Sequence, residues 1–233
     1  MTTPLAVAPD PLVAYPPVLR WVLTRQPVSA ALLPLLAPPC PLEALYARCA
    51  EQAAWPEALR LVGAVLPVRE SVWWAWVSVR YALQPEGGPP PTPEVHAAIT
   101  AIEQWIVRPD DDHRRAAWGA GQAAGLDTPA GMVGAAVFLS GPSVAPTTVA
   151  PVPPPPGSTL PLITGAILLS AAAAPDPAQL PATLQAFATQ GLEIVKRLGG
   201  WDTAAQLAYD THHRLLEEYQ RATGGTSSAG APR

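Results

Sequence analysis

Apolar residues recur at three- and four-residue intervals along most of the chain, and the alternation expected of half-buried strands is nearly absent. The spacing predicts helices over 17–25, 28–37, 41–55, 56–66, 68–83, 94–107, 110–125, 128–141, 160–174, 181–198 and 202–222. Most prolines fall between these segments or at their first positions, where a missing N–H costs little. Thr92-Pro93-Glu94, Asp110 and Thr128-Pro129 are the clearest start signals, and Gly125 and Gly141 are placed to stop the helices before them. Pro34 disturbs the segment 28–37. The expectation is an all-α protein, an irregular multi-helix bundle of about nine or ten helices.

The stretch SVAPTTVAPVPPPPGST is incompatible with helix and is expected to run extended, partly as polyproline II. The chain therefore divides into a flexible N-terminus (1–16), a helical bundle (17–141), a Pro-rich extended segment (142–159), C-terminal helices (160–222) and a disordered tail (223–233). The helices flanking the Pro-rich segment are too apolar to stay solvated, so the C-terminal helices are expected to pack back on the bundle. No charged residue lies between Asp127 and Asp176. Pro151 and the run Pro153 to Pro156 split that region into two apolar pieces, each short of the ~20 residues a spanning helix needs. Buried core helices, not a transmembrane segment, are the expectation.

RESVWWAWVSVR, residues 69–80, carries three of the eight tryptophans in four positions. Trp73, Trp76, Val77 and Arg80 follow the i, i+3, i+4, i+7 pattern of one helical face, with Trp74, Val72 and Val79 covering much of the rest. A helix that is apolar nearly all round belongs inside a bundle, and each tryptophan can bury on the order of 200 Å². Trp73, Trp74, Trp76, Trp105 and Trp118 are thus assigned to the core. Arg80 joins them, stacked on Trp76 and paired with the acidic run Asp110 to Asp112.

Composition narrows the function classes. Half the 233 residues are hydrophobic, 14% are charged, and the net charge is −4. No basic stripe exists to hold a phosphate backbone, so nucleic acid is not an expected partner. Lys196 is the only lysine, a bias read here as codon usage. The first ten residues lack a cationic stretch followed by an apolar run, so no secretory leader is expected. Cys40 and Cys49 then read as reduced cytoplasmic thiols.

DTHHRLLEEY, 210–219, is the most metal-like stretch, since Asp210, His213 and Glu217 share one helical face. No second cluster supplies further ligands, and a solvated face is the simpler reading. His113, beside three aspartates, reads as part of a capping turn, and His96 as a surface residue. No nucleophile elbow, phosphate loop, paired CxxC or HExxH pattern is present. No cofactor is expected; a small metal-dependent or hydrolytic enzyme using the 210–217 face is the alternative to a non-enzymatic protein.

Taken in order, RESVWWAWVSVR, WIVRPDDDHRRAAWGAG and TPAGMVGAAVFLSGPSVAPTTVAPVPPPP resemble an uncharacterised bacterial family often encoded beside type VI secretion components. The resemblance covers about residues 68–175 and carries no catalytic motif. It implies a cytoplasmic accessory protein, a chaperone or adaptor that binds a spike component or an effector. The uncharged Pro-rich segment suits such binding, because prolines stiffen it in advance and little entropy is lost on docking. Val144, Pro146, Val149, Pro151, Val152 and Pro153 are its candidate docking residues.

Overall fold

A computed structural model describes residues 10–25, 28–83, 90–173 and 176–224. Those residues form ten α-helices, three short 3-10 helices and no strand. The helices are α1 (Pro17–Thr24), α2 (Leu42–Glu51), α3 (Trp55–Val65), α4 (Val68–Ala82), α5 (Pro93–Val107), α6 (Asp111–Ala124), α7 (Pro129–Leu139), α8 (Thr159–Ala172), α9 (Leu180–Arg197) and α10 (Trp201–Gly224). The protein is an all-α multi-helix bundle, as the periodicity predicts.

Local chemistry explains the boundaries. Thr92, Asp110 and Thr128 each accept a hydrogen bond from the backbone N–H three residues on, which satisfies a donor with no intrahelical partner. Gly125 ends α6 with φ of 91°, a conformation that only glycine adopts cheaply. The helices α7 and α8 are apolar on every side, and both are buried: α7 packs between α6 and α8, and α8 lies against α3, α4 and α7. No helix among the described residues is long and apolar enough to cross a membrane.

Helix α4 is the hub, touching α5, α7, α8 and α9. Its buried residues are Ser71, Val72, Trp74, Ala75, Ser78 and Val79. Trp74 packs so close to α9 that a Cβ at Gly191 would stand 2.8 Å from its ring, and its indole N–H donates to the Phe187 carbonyl at 2.9 Å. The tryptophan cluster is therefore the centre of the core, though on a different face from the one expected. Trp73, Trp76 and Val77 are only half-buried and Arg80 is exposed. Two serines hid the true inner face; Ser78 fits inside because its hydroxyl donates to the Trp74 carbonyl at 3.0 Å. Trp105 is buried, whereas Trp118 is half-buried and stacks on Phe138 at 4.9 Å.

Further expectations need correction. The segment 28–37 is not a helix: after a turn, only Leu33–Leu36 form a single 3-10 element. Pro34 has no N–H to extend a helical ladder, and Ser29 Oγ takes the Leu32 N–H. Residues 10–16 are not a loose terminus either. Leu12 and Tyr15 are buried, Tyr15 Oη donates to the Leu36 carbonyl at 3.0 Å, and Arg20 donates to the carbonyls of Leu12, Val13 and Tyr15. The remainder of the expected flexible terminus (1–9), and the tail from 225 onward, lie outside the described residues.

Arginine has a structural role that codon usage does not explain. Arg20, Arg25, Arg48, Arg69, Arg114 and Arg115 all donate to backbone carbonyls in other parts of the chain. Arg25, for example, caps the end of α3 through the carbonyls of Ala64 and Leu66. A planar guanidinium reaches several acceptors at once, which an ammonium on a flexible stem does less well. Burial pushes the Arg25 guanidinium down to about 10, still charged at neutral pH.

Candidate cleft between the Pro-rich loop and the last helix

The order Asp110-Asp111-Asp112-His113-Arg114-Arg115 builds a clamp from one helix start. Asp110 Oδ1 accepts from the His113 backbone N–H at 2.9 Å and lies 2.6 Å from its ring Nδ1, while Oδ2 meets Arg108 at 2.8 Å. The bonds from the His113 backbone and ring hold the Asp110 carboxyl below its ordinary range. Partial burial pushes the Asp111 carboxyl up, but hydrogen bonds from Arg115 and Arg114 outweigh it and leave the group lowered. Asp111 therefore serves both arginines, at 2.5 Å to Arg114 and 2.7 Å to Arg115.

The arginines carry the clamp outward. Arg114 is buried, donates to the Phe138 carbonyl at the end of α7, and reaches the Ser143 carbonyl at 2.9 Å. Arg115 donates to the Ala145 carbonyl at 2.8 Å. These bonds pin the start of the Pro-rich segment, which then closes on itself instead of running straight. Val144 N–H donates to the Val152 carbonyl at 2.8 Å, and Ser143 Oγ accepts from the N–H groups of Ala145 and Val152. The result is a loop anchored at both feet, with its apolar tip turned out. Val149 is 58% exposed and Val152 51%. Of the other candidate docking residues, Pro146 and Pro153 are exposed, while Val144 and Pro151 are half-buried.

An open cleft of about 860 Å³ is lined by this loop and by α10. The loop contributes Pro146, Val149 and Pro151, and α10 contributes Leu207, Thr211, Arg214 and Leu215. The start of α4 (Val68, Arg69, Glu70) and Trp105 contribute the remaining lining beside the clamp. Its volume falls within the roughly 300–1,000 Å³ of sites that take a small molecule or short segment.

The metal-like residues do not build a site here. Asp210 accepts from the Gln206 amide at 2.8 Å, His213 donates to the Tyr209 carbonyl at 2.8 Å and stacks on that ring, and Glu217 is exposed. Among the described residues, no three His, Cys, Asp or Glu side chains come together to hold a metal ion. The acidic run expected to neutralise Arg80 is engaged by Arg108, His113, Arg114 and Arg115 instead. Arg80 keeps the other half of its expectation, lying over the Trp76 ring at 4.6 Å.

Sequence reasoning missed Arg114 as the buried cation, although a signal was present. Arg114, Ala117 and Gly121 fall on one face of α6, and only a face of small residues pressed on a neighbour would be so bare. A Cβ at Gly131 would stand 1.9 Å from the Gly125 carbonyl oxygen, and one at Gly134 would stand 2.7 Å from that of Ala117. The backbones of α6 and α7 thus touch, which brings Phe138 and Ser143 within reach of Arg114.

No curated protein and no solved structure matches the chain. Its helical scaffold from α2 to α9, together with the clamp and the loop, coincides with residues 45–195, which match DUF6931, a family of unknown function, and the chain belongs to that family.

Proposed function

We propose that the protein is a non-enzymatic binding module, a cytoplasmic accessory protein acting as chaperone or adaptor for a component of a type VI or related contractile secretion system. The observation that carries the binding role is the cleft. Val149 on the loop and Leu207 on α10 both line it and leave 58% and 41% of their surfaces accessible. Apolar side chains held on an anchored loop and a helix form a preorganised surface, so a partner loses little free energy in ordering it. The secretion-system context is supported by the resemblance in residues 68–175 alone.

The test is capture of partners by the tagged protein from its native host, with crosslinks mapped by mass spectrometry. Wild type is expected to capture a spike component or effector, crosslinked near 142–151 and 207–215. Val149→Asp combined with Leu207→Asp should abolish capture without changing the melting temperature, because both side chains are exposed. Crosslinks confined to another face, or equal capture by the double variant, would overturn the proposal.

A further inference from the structure

The lining of the cleft carries a charge pattern that its apolar walls do not require. Four arginines (Arg69, Arg114, Arg115 and Arg214) face it against three carboxylates (Glu70, Asp110 and Asp111), in a chain whose net charge is −4. Within the clamp Asp110 and Asp111 pair with Arg108, His113, Arg114 and Arg115, so the charges left for an occupant are Arg69 and Arg214 against Glu70. Arg214 and Arg69 are both exposed; among the described residues Arg214 forms no ion pair, and Arg69 donates to the Ile106 carbonyl. A locally positive cleft on an acidic protein selects a negative occupant.

The loop wall also restricts how that occupant is held. Pro142, Pro146 and Pro151 have no N–H, and the N–H groups of Val144, Ala145, Val149 and Val152 are used within the segment. An incoming strand finds few donors for a backbone ladder, so side chains must supply the recognition.

We infer that the cleft takes a short, extended acidic segment of a partner protein. Its apolar side chains lie between Val149 and Leu207, and its carboxylates meet Arg214 and Arg69. This rests on the binding-module reading and names the chemistry of the partner at that site.

The experiment titrates the isotope-labelled full chain with three capped hexapeptides: alternating leucine and aspartate, leucine and asparagine, and leucine and lysine. The aspartate peptide is expected to shift amide signals of 68–70, 143–151 and 207–215, and to bind about tenfold more tightly than the asparagine peptide. Arg214→Glu should weaken it roughly three- to tenfold, Glu70→Gln should strengthen it, and added salt should weaken it. The lysine peptide should leave the cleft unperturbed. Equal binding of the aspartate and asparagine peptides, preference for lysine, or no shift with any peptide would overturn the inference. If Arg214→Glu still captures the native partner while Val149→Asp with Leu207→Asp does not, the acidic preference falls and the binding role stands. Crosslinks away from the cleft would remove both.

Discussion

The guanidinium of Arg114 lies 4.9 Å from the ring centroid of Phe138 and donates to the carbonyl of the same residue. One side chain of α6 therefore holds the end of α7 by both ring and backbone, and its Nη2 goes on to the Ser143 carbonyl. Arg114→Met keeps much of the volume but leaves two carbonyls without their donor, so it should cost about 2–4 kcal/mol in urea unfolding. Arg114→Lys should recover only part of that, since an ammonium cannot span the same acceptors. A methionine variant within about 0.5 kcal/mol of the parent would show that the clamp is ornamental.

The tryptophans should separate sharply under the same measurement. Trp74 is buried on all sides, and Trp74→Ala should cost about 3–5 kcal/mol. Trp76 is half-buried, donates to the Ile99 carbonyl at 3.1 Å, and should cost less. Arg80→Ala should cost no more than about 1 kcal/mol, because it removes only an exposed stack on Trp76. Equal losses at 74 and 76 would mean that the inner face of α4 is misassigned.

Acid should loosen the contact between α1 and α10. His212 packs on Trp21 at 5.4 Å, and burial, followed by the nearby His213 and Arg25 charges, lowers its pKa from the ordinary 6.5. The unfolded chain then binds the proton more readily than the folded one, so stability rises with pH through this window. It is complete above about 6.5 and declines as the pH falls below that value. The melting temperature should drop between pH 7.5 and 5.5, and His212→Gln should flatten that slope. An unchanged slope in the variant would remove His212 as its source.

The two thiols should differ in reactivity. Cys49 is fully buried, and burial, with the charges of Glu57 and Cys40 adding to it, pushes its thiol up to about 11. Cys40 is half-buried. Alkylation of the native protein at pH 8 should therefore label Cys40 and spare Cys49 until urea is added, because the thiolate is the reactive form. Labelling of Cys49 at the unfolded rate would show that α2 opens far more easily than its packing suggests.

What the sequence made legible was local. Thr92, Asp110 and Thr128 announce their helices because a cap needs only the next three residues, and the apolar runs of α7 and α8 read as buried because no polar side exists to face water. The cleft was illegible for the opposite reason. Arg114 reaches partners 24 and 29 positions away and Arg115 one 30 positions away, distances that no periodicity encodes. Arg80 stands among apolar residues and Arg114 in the charged run DDDHRR, so the letters favour burying Arg80; the glycine-lined approach of α7 to α6 encloses Arg114 instead. The Pro-rich segment was recognised as non-helical, but its closure depends on Ser143 accepting two backbone donors, and one serine among many gives no such warning.

The bond from Trp74 to the Phe187 carbonyl joins positions 113 residues apart. At roughly 5–20 residues per second, a ribosome takes about 6–23 s to deliver the acceptor after the donor. Until the end of that interval the indole of α4 lacks the α9 surface that covers it in the finished fold, since α9 (Leu180–Arg197) has not yet been made. The tryptophan that centres the finished molecule is thus, during synthesis, an exposed apolar surface that other proteins in the cell can bind.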